Sequence, residues 1–139
     1  QRMSAEFAVI MLDMDGFKNI NDTFGHALGD EFLNALFNHL SRNMRDTDFL
    51  ARYGGDEFVV IMPDSDIRHA TLVAERLQAA VAQWARSDET SLSLSIGMGA
   101  APEHGQELGT LLERVDGAMY LSKQGFGRCG IRCVGDAPA

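Results

Sequence analysis

The spacing of apolar and polar residues changes several times along this chain, and each change marks an element. Phe7-Ala8-Val9-Ile10-Met11-Leu12 is an unbroken apolar run, which suits a strand buried on both faces. Residues 30–42 take helical spacing, with Phe32, Leu33, Leu36, Phe37 and Leu40 on one face. Two strand-like runs, 48–53 and 58–62, then flank Gly54-Gly55. Two glycines there predict a tight hairpin, because glycine takes positive φ without strain. Pro63-Asp64-Ser65-Asp66 breaks the second run and offers helix caps. Ala70, Val73, Ala74, Leu77, Val81 and Trp84 hold helical spacing to about residue 86. Leu92-Ser93-Leu94-Ser95-Ile96-Gly97-Met98 alternates strictly and predicts a half-buried strand. Leu108, Leu111, Leu112, Val115, Ala118 and Met119 predict a further helix, and residues 129–134 a short last strand.

The order is β-α-β-β-α-β followed by α-β, which is the ferredoxin-like pattern of an α+β fold. Right-handed crossovers and one hairpin set the fourth, first, third and second strands side by side. The first strand then runs antiparallel beside the strand that follows the hairpin. Asp13 at the end of one thus meets Asp56 and Glu57 at the start of the other.

Composition narrows the function classes. At 139 residues the chain is one domain with room for a core, and 45% hydrophobic with 23% charged residues is ordinary for a globular protein. A net charge of −8 argues against a nucleic-acid polymer or an anionic membrane as partner, since both select a basic surface. It leaves room for a single nucleotide met by metal ions and a few local cations. No apolar run reaches the ~20 residues of a membrane span, and no signal peptide is visible. Cys129 and Cys133, four apart in one predicted strand, would stand ~13 Å apart, too far for a disulfide, so reduced thiols and a cytoplasmic setting are expected. The chain starts at Gln1 and enters a strand within a few residues, as a piece of a longer protein would.

Acids that converge at one sheet end repel and raise each other's pKa. A solvated acidic rim is one resolution. A divalent cation is the other, since Mg²⁺ takes a couple of carboxylates, waters and phosphate oxygens. Two such ions can activate a hydroxyl and stabilise a leaving group in an in-line phosphoryl displacement.

The string Arg52-Tyr53-Gly54-Gly55-Asp56-Glu57-Phe58 resembles the signature of the GGDEF family, the bacterial diguanylate cyclases. The stretch Asp13-Met14-Asp15-Gly16-Phe17-Lys18-Asn19-Ile20-Asn21-Asp22 resembles the family's first acidic segment, and Gly25-His26 and Gly29-Asp30 fall at family positions. So do Ser95-Ile96-Gly97, and Asp116-Gly117-Ala118-Met119-Tyr120 followed by Lys123. The resemblance covers nearly the whole chain and implies a palm-type antiparallel central sheet flanked by helices. It implies that Asp13 and Glu57, with the backbone carbonyl of Met14, hold Mg²⁺ or Mn²⁺. Asp56 would be a metal ligand or assist deprotonation of the attacking hydroxyl. Gly54 and Gly55 would admit the nucleotide close to the backbone. Gly16, Phe17 and Lys18 would offer N–H groups to the phosphates, as a nest does, with Lys18, Lys123 and Arg128 as cations. Asn21 and Asp30 would read the guanine edge, although by themselves they suit a turn residue and a helix N-cap.

Arg45-Asp46-Thr47-Asp48, just before the hairpin strand, resembles the family's inhibitory product site, and Arg76 falls where the family supplies a second arginine from a neighbouring surface. Alone, such residues are also ordinary surface ion-pair material. In two places the chain departs from the family. Residues 1–139 would form a single GGDEF domain without the helix and short Asp-x-Leu-Thr-type motif that usually precede the first strand. Lys123 and Arg128 also stand one residue further apart than is usual. The resemblance implies condensation of two GTP into cyclic di-GMP and two pyrophosphates. Two domains would meet face to face as a homodimer, under an upstream sensory or regulatory domain. The rivals are a catalytically silent receptor for GTP or cyclic di-GMP, and a related cyclase with another cyclic product.

Overall fold

The computed structural model of the chain describes residues 6–15, 25–54, 57–87, 93–123 and 131–135. Its elements are β1 (Phe7–Asp15), α1 (His26–Ser41), β2 (Phe49–Gly54), β3 (Glu57–Pro63), α2 (Ile67–Ser87), β4 (Ser93–Ala101), α3 (Leu108–Lys123) and β5 (Ile131–Cys133). The strands form one sheet in the order β2-β3-β1-β4-β5. The first four neighbours are antiparallel in the expected order. β5 adds a parallel edge to β4, because the intervening α3 returns the chain to the same end of the sheet.

β1 is the central strand, and its apolar run is buried on both faces. Ile10 and Leu12 face the α1 and α2 side, where Leu33, Leu36 and Leu40 meet Val73, Leu77 and Val81 over Phe58, Val60 and Met62. Fully burying a side chain of this size contributes about 1.5–3 kcal/mol. Val9, Met11 and Val59 face the other way, against Leu111, Val115 and Met119 of α3.

Two expectations need correction. The alternating stretch predicted a half-buried strand, yet Leu94 to Ala101 are all buried. The non-apolar positions are Ser95, Gly97 and Gly99, small residues that let α3 lie close on β4. A Cβ at Gly97 would stand 2.3 Å from the Val115 carbonyl oxygen and 2.5 Å from the Met119 nitrogen. Secondly, α1 begins at His26 after Gly25, whose φ of 88° turns the chain into the helix without a side-chain cap. Asp30 therefore lies inside α1, and its reading as an N-cap fails.

The cap predicted for α2 is present. Asp66 Oδ1 accepts from the His69 backbone N–H at 3.0 Å, a bond to one of the helix's orphan donors. That bond, with Arg68 assisting against some desolvation, holds the Asp66 carboxyl below its ordinary value. α3 covers β1 and β4 but stops short of β2. There Phe49 and Tyr53 stand exposed.

Candidate functional site

The sheet brings two of the predicted acids together. Asp13 is the cross-strand partner of Glu57 on one side and of Ser95 on the other. Alternation along β1 turns Asp13 to the α3 face, one step beyond Met11. The Asp13 side chain is 5% exposed, and its Oδ2 accepts from the Lys123 ammonium. Lys123 is the last residue of α3, where a cation also favours the helix dipole. A carboxylate this buried needs a positive partner, and Lys123 is one.

Glu57 opens β3 and pairs with Gly54 across the hairpin. The register shifts between Arg52 and Gly54, so the strand bulges beside the turn. Gly55 and Asp56 lie outside the described residues, as do Gly16, Phe17, Lys18, Asn21 and Arg128. Asp30 is described in its backbone alone. The Met14 side chain belongs to the α1–α2 side of the core, which leaves only its main chain as a possible ligand. Among the described residues no group of three His, Cys, Asp or Glu side chains forms a metal cluster. The donor set at this end is carboxylate oxygen with a carbonyl nearby in sequence, the hard chemistry that Mg²⁺ or Mn²⁺ prefers.

The residues expected at a second site lie at the opposite sheet end. From Glu57 to Pro63 the strand β3 runs six residue steps, about 20 Å. There Arg45 Nη2 donates to Asp48 Oδ1 at 2.9 Å and Nε to the same oxygen at 3.2 Å. Asp48 Oδ2 accepts from the Arg45 backbone N–H at 3.0 Å. The Asp48 side chain is 1% exposed and that of Arg45 44%. Arg76 reaches the same loop, donating from Nη1 to the Asn43 carbonyl at 3.2 Å. Arg45, Asp48 and Arg76 thus all meet the loop between α1 and β2, whereas the resemblance put the second arginine on a neighbouring surface. The structure adds Ser65, which the sequence suggested only as a helix-cap candidate. Ser65 Oγ accepts from Arg45 Nη2 at 2.8 Å across 20 positions of chain, a pairing that no local spacing could signal.

A family model described as diguanylate cyclase, GGDEF domain, matches residues 1–128. The chain belongs to the GGDEF family. It is 40% identical over 121 residues to the response regulator PleD of Caulobacter vibrioides, an alignment that covers 84% of this chain and 27% of PleD. It is 37% identical over 127 residues to the diguanylate cyclase DgcP of Pseudomonas aeruginosa, covering 88% of this chain and 19% of DgcP. The chain thus spans about a fifth to a quarter of the length of these curated relatives. Among solved structures, the GGDEF domain of YfiN (TpbB) from Pseudomonas aeruginosa superposes with a TM-score of 0.83 at 34% identity, over 96% of this chain and 84% of that one. The GGDEF domain of DgcB from Caulobacter crescentus, solved in complex with c-di-GMP, gives 0.81 at 29% identity, over 95% of this chain and 80% of that one. No described helix of this GGDEF domain is long and apolar enough to cross a membrane.

Proposed function

We propose that this domain is a diguanylate cyclase, condensing two GTP into cyclic di-GMP with release of two pyrophosphates. The observation that carries the reading is the buried Asp13, in register with Glu57 and bridged to Lys123, at the hairpin end of a GGDEF sheet. In each half-reaction a 3′-oxygen forms a bond to the α-phosphorus of the other GTP. The bond from that phosphorus to the β-phosphate oxygen breaks, and pyrophosphate carries the electron pair away. Asp13, Glu57 and the Met14 carbonyl would hold Mg²⁺ or Mn²⁺, which supplies charge neutralisation and a more acidic hydroxyl. Asp56 or Glu57 accepts the hydroxyl proton. Lys18, Lys123 and Arg128 offset phosphate charge, and the N–H groups of Gly16, Phe17 and Lys18 bind the β- and γ-phosphates. Asn21 and Asp30 select guanine, and Gly54 and Gly55 let the nucleotide approach.

One domain binds one GTP, so two domains face each other in a homodimer and specific activity falls on dilution. Arg45, Asp48 and Arg76 take the product, as inhibitor, at the other sheet end. In a longer parent protein an upstream sensory or regulatory segment governs the pairing. The setting is cytoplasmic, where GTP is supplied.

Incubation with GTP and Mg²⁺, beside Glu57→Gln, tests the reading by cyclic di-GMP and pyrophosphate yield. Native turnover with at least a ~100-fold loss in Glu57→Gln is expected, the scale of a lost charged group in phosphoryl transfer. Native-like turnover in Glu57→Gln sinks the proposed role of that residue. No product from the native chain, with cyclic di-GMP still bound at Arg45, would point to a receptor or to a fragment without its dimerising half, and the full-length protein would decide between those two.

A further inference from the structure

Arg45 is held by more than its own loop. Its Nε and Nη2 face Asp48, and Nη2 also donates to Ser65 Oγ at 2.8 Å, with the Pro63 carbonyl at 3.4 Å. Ser65 is 3% exposed. A guanidinium only donates, so the serine oxygen accepts from Arg45 and sends its own proton to the Pro63 carbonyl at 3.0 Å. The hydroxyl is therefore satisfied on both sides, and its direction is fixed by the end of β3. Among the described residues the two N–H groups of Nη1 make no hydrogen bond, on a side chain that is 44% exposed.

We infer that Ser65 is a positioning residue for product recognition: it locks the plane of the Arg45 guanidinium so that Nη1 faces the ligand. This rests on the reading of Arg45 and Asp48 as the cyclic di-GMP site. The ligand is a dianion whose guanines also carry adjacent Hoogsteen acceptors, and both features suit paired guanidinium donors. A long arginine side chain otherwise loses rotamer freedom on binding, and one held in advance loses less. Asp48 fixes the Nε edge of the guanidinium. Ser65 fixes its outer end, from a separate segment that begins the turn into α2. Buried as it is, Ser65 acts through Arg45.

Isothermal titration of cyclic di-GMP into the native chain, Ser65→Ala, Ser65→Thr and Arg45→Ala tests this, with thermal melting to verify folding. Ser65→Ala should weaken binding about tenfold, the effect of one hydrogen bond to a charged group. Ser65→Thr keeps the oxygen and should restore affinity to within about threefold of native. Arg45→Ala should abolish binding. Loss in Arg45→Ala with native or tighter affinity in Ser65→Ala would overturn the role of Ser65 and leave the product site standing. Equal loss in the alanine and threonine variants would overturn it as well, since the hydroxyl would then not be the cause. Unchanged affinity in Arg45→Ala would remove the product site itself.

Discussion

The two ends of the sheet each carry a cation on a buried carboxylate, but they are assembled in opposite ways. Arg45 and Asp48 are three residues apart, and one loop between α1 and β2 suffices to join them. Lys123 and Asp13 are 110 residues apart. They meet because α3 lies close on β4 and β1, which in turn depends on Gly97 having no side chain. A local pair needs little more than its own turn. A distant one costs far more chain entropy and exists only when the core is complete. The Asp13–Lys123 end of this domain is thus tied to global stability, and the Arg45–Asp48 end much less so.

The largest break in that comparison should come from Gly97→Val. The new side chain starts 2.3 Å from a backbone oxygen of α3, so the helix must move. We expect a loss of about 3 kcal/mol or more in urea unfolding, at the upper end for overpacking. If the variant folds at low temperature, turnover should fall with the displaced Lys123 while cyclic di-GMP binding survives. Equal loss at both ends would refute the independence of the two ends.

Removing one cation from each pair should give smaller and unequal effects. Lys123→Met leaves the Asp13 carboxylate buried without its ammonium, although half-exposed Lys123 was partly solvated to begin with. About 2 kcal/mol of stability should be lost, below the range for a fully buried pair. Arg45→Ala should cost only about 1 kcal/mol, because the Arg45 backbone N–H still donates to Asp48 Oδ2. Adding Mg²⁺ sharpens the contrast. If Asp13 takes the cation as proposed, the Lys123→Met deficit shrinks in melting experiments with Mg²⁺, and the Arg45→Ala deficit does not.

The same division governs what could be read from sequence. Arg45 and Asp48 were legible because their spacing is their structure. The Asp13–Glu57 juxtaposition was legible through topology: a buried first strand and a hairpin leave little choice of neighbour. The burial of both faces of β4 was not, because serine and glycine at alternate positions look like a wet face. Their smallness admits α3, and that depends on where α3 goes. The start of α1 was read too late for a backbone reason, the turn at Gly25, while periodicity marked only the apolar face that starts at Phe32. Ser65 and Asp66 both offered a cap, and only the fold separates them. Asp66 binds the helix end, and Ser65 turns to Arg45.

That separation yields the smallest effect, a pH dependence confined to the start of α2. The Asp66 carboxyl is held below its ordinary value chiefly by the His69 N–H, with Arg68 adding to it. A carboxyl lowered on folding contributes stability that is present above its unfolded value of 3.8 and is lost as pH falls through the folded one. Asn at this position keeps the oxygen acceptor for the helix but cannot titrate. Melting temperature should therefore drop less steeply below about pH 4 in Asp66→Asn than in the native chain, while the two agree near neutrality. Ser65→Ala should leave the native acid slope in place, because Ser65 serves Arg45 and not the helix. An altered slope in that variant would mean that the cap and the Arg45 support are one unit, and the Arg45–Asp48 end would then be tied to α2 as closely as the Asp13–Lys123 end is to α3.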